Sequence, residues 1–575
     1  MTLWIRRFAM VGGVVALVCV CGDSGTDGPP DALVQDVGLA DVTGDGALPG
    51  ECDLDAVPTP WPNWVPAWPG AGRNAGGRMD FRFLTDGPTI QNLGVEDVGD
   101  SRAVVVWSTP GEADSAVGWG LAPDTGCTVG YRRTGGRLDH RMAIGPLQPE
   151  TEYHVTVRSR DDASEDVGTI TFTTAALPAA TELTDCTTIT APGRYRLAAD
   201  VTGACSCIVV DADDVDLDLG WHTITYADTT TGEQCHGVEV LGANARVSGG
   251  VVVQGTAGGD LYSHAVAVRG ADHVVIDHLW LYVHTADAYG LRSMWSDDVA
   301  VRNTLVVSEV QDVTDRHYPG NRGIGLDLPD EGPGEVIDCV LFGVPHWGIM
   351  VTGGDRLDVA PTTGQTRRIS NNHVFADMHA TNGYALGVHA NHVEVDHNEI
   401  RPLRNGRAVH YTRSGGLIHH NIIEAVELVA GDPAAGFAYY SDLADAASPH
   451  DIGVCTWVVA HGIRVESGNF GEIHNNEVYT YSLPDVSFGA TGLNISTATG
   501  ALGGISVHHN QFVALQAVGS ISCSGGLPMV AGWARGEPPA TPADLHDNRF
   551  VSSGDTLVIE DPALATSTDD ELVEQ

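Results

Sequence analysis

The sequence predicts an all-β chain, with a parallel β-solenoid over its last two thirds and a β-sandwich before it. Three observations lead there. A short pattern returns along the chain: an apolar residue, two variable ones, an Asn or small residue, then another apolar. It reads Val395-Asp396-His397-Asn398-Glu399-Ile400, Ile418-His419-His420-Asn421-Ile422-Ile423 and Val507-His508-His509-Asn510-Gln511-Phe512, with looser copies at Leu217, Val247, Ile276, Val301, Ile337, Ile369, Ile473 and Leu545. These copies are rich in Val and Ile and lack a helical period, so each reads as one turn of a stack. Upstream, short apolar runs between turn residues recur at sandwich spacing.

The first element is an export signal, residues 1–21. Arg6 and Arg7 precede an apolar run, Phe8 to Val20, too short for a membrane span. The run ends in Val18-Cys19-Val20-Cys21-Gly22 and turns polar at once. This resembles a bacterial lipoprotein signal, which implies that Cys21 receives lipid. A plain secretory signal or a twin-arginine signal is the alternative. Each implies an exported protein, extracellular or on the outer-membrane surface of a bacterium. Residues 22–79 follow as an acidic, Pro-rich tether without apolar periodicity. Its segment Trp61-Pro62-Asn63-Trp64-Val65-Pro66-Ala67-Trp68 reads as a stiff docking strip, or else a carbohydrate-stacking one.

Composition narrows the partners. The formal net charge is -45, and the chain contains no lysine. So acidic a surface repels nucleic acid, whose binding rests on neutralised phosphates. Cys186, Cys205, Cys207 and Cys235 lie close enough in sequence to bridge in an oxidising compartment, and Cys52 could pair with Cys127. After Cys21 the count is odd, so at least one thiol stays free or buried.

Residues 80–176 form the predicted sandwich. Its strand signals are Ala103–Trp107, Ala116–Trp119, Tyr153–Val157 and Ile170–Thr174. The run Leu147-Gln148-Pro149-Glu150-Thr151-Glu152-Tyr153, with Trp107 as core aromatic, resembles the fibronectin type III signature. That implies a Tyr153 corner and a spacing, docking or weak sugar-binding module, and nothing about catalysis.

Residues 180–558 form the predicted solenoid, and 559–575 an acidic tail expected to fray. Pro192-Gly193-Arg194-Tyr195-Arg196-Leu197 and Val215-Asp216-Leu217-Asp218-Leu219-Gly220-Trp221-His222-Thr223-Ile224 resemble the opening coils of right-handed parallel β-helix proteins of the pectate-lyase-like superfamily. The repeat implies about a dozen coils. Longer gaps, such as Val301 to Ile337 and Val507 to Leu545, are single coils with loops. Ile418 to Ile473 is long enough for two coils and a loop near 431–450.

The candidate residues fall in four groups. Asn372, Asn398, Asn421, Asn476, Asn510 and Asn548 sit at equivalent turns and are expected to form an amide ladder, with a sugar-binding row as the lesser alternative. His373, His397, His419, His420, His474, His508, His509 and His546 flank those turns. A His column would offer imidazoles one strand spacing apart to a metal, but no zinc spacing is present and plain turn-flanking histidines suffice. His389, His410, Tyr411 and Arg413 fall before the Asn turn in consecutive coils, the expected catalytic set, with His346, Tyr384 and Arg464 extending it as substrate-binding residues. Against this stands the reading of a polar, solvent-facing sheet. The loop from Gln311 to Glu335 carries Asp312, Asp315 and Asp327, oxygens that suit calcium or a solvated acidic loop.

The resemblance implies contact with a polysaccharide, cleaved by hydrolysis or β-elimination. The chain lacks the Gly-His-Gly and Arg-any-Lys runs of the superfamily's polygalacturonases, and a lysine base is excluded. Charge favours a neutral or amino-sugar polymer unless calcium or a local Arg patch intervenes. The alternative is a non-catalytic surface protein that binds glycan or serves adhesion. Either would act as a monomer.

Overall fold

The computed structural model describes residues 88–574, excluding 122–127, 130–132, 161–163, 231, 259–261, 286–287, 309–321, 330–331, 345, 354–366, 379–382, 405–406, 414, 427–459, 467–470, 483–489, 498–503, 517–529, 537–540, 553–554 and 560–562. The signal and Cys21, the tether, Cys52, Cys127, Asp312 and Asp315 lie outside the described residues. The chain divides into two units, with the change between Leu177 and Pro178. All the described secondary structure is β.

The first unit is a six-stranded antiparallel sheet folded about its long second strand, with one hydrophobic core inside it. Two expected strands turn out to be one, Ala103–Gly120. Its first part pairs with Gln91–Glu96 and Arg133–Ile144, and its end pairs with Glu152–Arg160. Pro110 and Gly111 fall where the register shifts between Ser108 and Ala113, so they kink a continuous strand. Alternate residues Val105, Trp107, Val117 and Trp119 point inward with Val155 and Val157. Trp107 Nε1 donates to Ser159 Oγ at 2.8 Å, which satisfies its buried N–H. Tyr153 Oη accepts from the Gln148 backbone N–H at 2.9 Å, pinning the corner.

The second unit is a right-handed parallel β-helix of thirteen coils. Each coil adds one strand to a 13-stranded parallel sheet, here the front sheet. The rest of the coil runs through a 25-stranded sheet that wraps the other two faces. The repeat residues stack in register: Leu217, Val247, Ile276, Val301, Val336, Ile369, Val395, Ile418, Ile473, Val507 and Leu545. Each is at most 2% exposed, worth about 1.5–3 kcal/mol of transfer free energy per side chain. The front sheet supplies a facing column that includes Ile324, Ile349, Leu386, Val409 and Ile463.

Three expectations need correction. Val336, not Ile337, occupies the core column, because Val301 pairs with Val336 and Val336 with Ile369. A single coil, and not two, separates Ile418 from Ile473: these residues pair directly, as do His410 and Arg464 on the front sheet. The acidic end does not fray: Ala565–Thr568 and Glu571–Glu574 pair with Ala543–His546 and Arg549–Ser552 as the thirteenth coil.

At the turn within the wide sheet, one residue per coil is left-handed, including Asn371, His397, His420, Asn475, His509 and Asp547. The next residue is the ladder Asn. Nδ2 of Asn372, Asn398, Asn421, Asn476 and Asn510 each donates to Oδ1 of its successor at 2.9–3.0 Å, and Asn548 donates to Asp570. The same Nδ2 also donates to a carbonyl one coil back, such as Val395 O from Asn421. Donors all point toward the C-terminus, so the last member need only accept, and Asp570 serves. At the other end the Cys339 N–H donates to Asn372 Oδ1, and its Sγ lies 3.6 Å from Val301 O. Among the described residues, Cys339 is a buried thiol outside either disulfide, and it stands at a ladder position. Two disulfides, Cys186–Cys207 and Cys205–Cys235, staple the first coils.

Candidate functional site

Parallel register stacks the outward side chains of the front sheet into columns about 4.8 Å apart per coil, and alternation holds from Leu386 onward, while Ala385 and Leu386 both enter the core and leave Tyr384 on the outer side. One column runs Tyr289, Arg322, then Trp347, Tyr384. The next holds Gly387, His410, Arg464 and Asn494. A third runs Asp327, Thr352, His389. The sheet thus brings aromatic, imidazole, guanidinium and carboxylate groups to one face.

At its centre, His410 and Tyr384 rings stack at 4.5 Å, and His389 meets His410 edge-on at 5.4 Å. Trp347 packs edge-on against His389 at 5.5 Å. Trp347 lies flat across Gly387, where a Cβ would sit 2.2 Å from the indole, so only glycine leaves room for the ring. His410 Nε2 is 3.0 Å from Glu466 Oε2. Arg464 contacts the other Glu466 oxygen and donates to Tyr384 Oη at 3.0 Å. The hydrogen bond from His410, then the Arg464 charge, overcome burial and hold the Glu466 carboxyl down to about 2. Burial, then the charges of His410 and Arg413, push His389 down to about 4. At neutral pH, His389 is a neutral imidazole beside an ionised Glu466. Its Nδ1 lies 2.8 Å from Thr412 Oγ1.

Beside this cluster an open pocket is lined by Trp295, Asp327, Thr352, His389 and Arg413. Trp295 is 68% exposed, an aromatic wall facing solvent. Arg413 Nε has no hydrogen-bond partner among the described residues. The pocket therefore combines a neutral base, a cation, a carboxylate and an aromatic surface.

Several expected roles change. Tyr411 follows His410 on the strand, so it points the opposite way: it is 2% exposed in the core, its hydroxyl donating to Ala390 O at 3.3 Å. Burial raises its pKa far above the usual phenol value, so it has no part in proton transfer. Tyr384 is buried under the His410 ring and His346 beneath the sheet edge, so both support the face rather than touch a ligand. His346 accepts from Arg322 Nε at 3.3 Å, and burial, then Arg322, push it down to about 3. Asp327 lies on the strand Arg322–Leu328, not in a loop, and its Oδ1 is 3.2 Å from Thr352 Oγ1. Among the described residues, no three His, Cys, Asp or Glu side chains gather as a metal site. His389, His410, Arg413 and Arg464 do come together.

Trp295, Trp347 and Glu466 went unread in the sequence. Glu466 had a signal: it stands two residues beyond Arg464, hence on the same face. Counting back from the ladder Asn fails for it because the bend between Val465 and Glu472 is one residue longer than that between Tyr411 and Leu417.

No protein family and no curated protein matches the sequence. Among solved structures, the tailspike protein of E. coli bacteriophage HK620, solved with a pentasaccharide, is 11% identical with a TM-score of 0.35, covering 66% of this chain and 64% of that one. A DFA-IIIase from Arthrobacter chlorophenolicus A6, solved with DFA-III, is 13% identical with a TM-score of 0.28, over 66% and 75% of the two chains. A GH136 lacto-N-biosidase from Eubacterium ramulus is 12% identical with a TM-score of 0.29, over 66% and 62%. The chain thus spans just under two thirds of the tailspike's length.

Proposed function

We propose that this chain is an exported carbohydrate-active protein that grips a glycan along the front sheet and processes it in the pocket beside His389. The observation that carries this is the convergence, in one open pocket, of a neutral His389, the Arg413 cation, Asp327 and exposed Trp295. Hydrolysis asks for two carboxyl groups, one of them protonated. Glu466 is unsuited to that, since His410 and Arg464 hold it ionised. Proton abstraction next to a sugar acid group fits better: His389 accepts the proton, and Arg413 steadies the charge that develops. Arg292, Arg322, Arg407 and Arg464 on the same sheet make the local field more positive than the net charge of -45 suggests, which favours an acid-bearing polymer over the neutral one expected from composition.

Two further parts belong to this reading. The disulfides support an oxidising compartment, in keeping with export and with Cys21 as lipid acceptor. The Tyr153 corner supports a fibronectin type III-like spacer. A second reading, glycan binding without turnover, draws on the flat Trp347 ring.

The test is incubation of the full chain with neutral and acidic polysaccharides, following reducing ends and absorbance of unsaturated products. Unsaturated product from an acidic glycan, reduced about 10²-fold or more in His389→Ala and Arg413→Ala, is expected. Binding without product would leave the second reading. Neither binding nor product would sink both.

A further inference from the structure

Apart from the His389 pocket, the front sheet gathers two arginines, Arg292 and Arg322, three and two coils before it. Arg292 Nη1 donates to Tyr289 Oη at 3.3 Å, and Arg322 Nη1 donates to the same oxygen at 2.9 Å. The two guanidinium carbons stand 4.8 and 5.2 Å from the centre of the Tyr289 ring, which lies beneath them at 2% exposure. Both arginines are half-buried. Gly325 makes the space: an added Cβ would come within 2.7 Å of Arg292 Nη1 and 2.6 Å of Tyr289 Cε1.

No carboxylate neutralises Arg292. Among the described residues it forms no ion pair, and its Nε and Nη2 donate to no protein group. Glu239 is engaged with Arg269, at 3.3 Å from its Nη1. Burial, then the charges of His236, Arg292, Arg269 and Arg322, hold the His264 imidazole well below the usual histidine value. Three guanidiniums thus act on one end of the sheet, in a chain whose formal net charge is -45. The phenol attracts both Arg292 and Arg322 through its π face and its oxygen. It carries no net charge, so the repulsion between the two cations is left for an anion to remove.

Guanidiniums recognise oxyanions through paired N–H donors, and two that converge on one point can grip a carboxylate or a sulfate ester alike. Position indicates which molecule would bring that anion. Arg322 stands one coil before Trp347 in the same column, and Trp347 meets His389 edge-on at 5.5 Å. A sugar ring laid on Trp347 has the arginines on one side and the His389 pocket on the other. We infer that Arg292 and Arg322 form an anion subsite for an acid group of the bound glycan, carried by a different sugar from the one that reacts at His389. Given that the glycan lies on this sheet, as proposed above, the substrate class narrows to glycans with acid groups on more than one sugar.

Equilibrium dialysis of the full chain against inorganic sulfate tests the arginine pair without a glycan. The double variant Arg292→Gln/Arg322→Gln should hold sulfate about ten-fold or more weakly than the wild type, because each lost guanidinium removes charge-assisted donors. Arg292→Gln alone, which leaves the Arg322 contact with His346 in place, should shift in the same direction. Glutamine keeps an amide donor for Tyr289 Oη, and an unchanged melting temperature would show that the fold is intact. Titration with a uronic-acid oligosaccharide and a sulfated one then identifies the acid group: affinity for at least one should fall about ten-fold or more in the double variant. A larger loss for the first assigns a carboxylate, and for the second a sulfate ester. Equal sulfate retention by wild type and double variant would overturn the subsite and leave the glycan reading standing. So would equal affinity for both acidic oligosaccharides. Sulfate lost in the variant, with no oligosaccharide bound by the wild type, would sink the glycan reading and with it the ligand assigned to these arginines.

Discussion

Asn421 offers the sharpest test of what holds the stack together. Its side chain accepts from the Asn398 N–H at 3.0 Å and from Asn398 Nδ2 at 2.9 Å, and donates to Asn476 Oδ1 and Val395 O. Asn421→Leu keeps the volume and removes every one of these bonds. The Asn398 N–H and the Val395 carbonyl lose these partners inside the protein. A buried polar group left unsatisfied costs about 1–3 kcal/mol, and the added apolar surface returns part of that, so a net loss of about 3–5 kcal/mol is expected. Asp570→Asn is the matched control. Asp570 ends the ladder, half-exposed, and only accepts, a role that an amide oxygen can fill. Its cost should stay below about 1 kcal/mol. Urea denaturation measures the global loss, and hydrogen exchange at the Asn398 amide measures the local one, where protection should fall by about two decades or more. If Asn421→Leu costs under about 1 kcal/mol and the Asn398 amide stays protected, the amide column is not what fixes this turn.

Other outcomes follow from the same coordinates. If His389 is the base, activity on a cleaved glycan should hold as pH falls until about 4, rather than being lost near the ordinary histidine value of 6.5, as a pH–rate profile would reveal. His236, His346, His389, His420 and His474 all have pKa values lowered to about 3 or 4, chiefly by burial. Below 6.5 the unfolded chain binds protons that the folded chain does not, so the urea midpoint should fall between pH 6.5 and 4, and a flat profile would contradict this. Replacing Cys186–Cys207 or Cys205–Cys235 by alanines should cost about 3 kcal/mol each, for bridges spanning 21 and 30 residues, with exchange rising first in the opening coils. Gly387→Ala should push Trp347 off the sheet, changing its fluorescence and weakening glycan binding more than stability.

Much of the fold was legible because a stacked coil repeats its own constraints. The core column from Leu217 to Leu545 could be picked out by its Val and Ile before any register was known, and the Asn turns marked each coil. Ile337 was misread because Val336 beside it is equally apolar, so hydrophobicity alone could not choose between adjacent residues of opposite facing. The gap from Ile418 to Ile473 was misread because chain length does not distinguish an inserted loop from a coil. Only pairing does, and Leu417 meets Glu472 directly. The acidic end pairs because the backbone groups of Glu571–Glu574 that face the stack find the Arg549–Ser552 strand, a gain that its outward charges do not oppose.

The site was half legible for a reason of parity. Along the second half of each front-sheet strand, residues two apart share a face and neighbours do not. His410 and Tyr411 were read as partners, although no flat strand can present both. The same rule, anchored on the core residues Val388, Tyr411 and Val465, selects His389, Thr412 and Glu466 as outward neighbours in successive coils. It also explains why a phenol and a carboxylate from one chain region have opposite fates: Tyr411 is sealed at 2% exposure, while Glu466 meets His410 at the surface. A constellation on a solenoid face is therefore set by each residue's parity relative to its own strand's core, and the offset from a distant turn is reliable only where the intervening bend keeps its length.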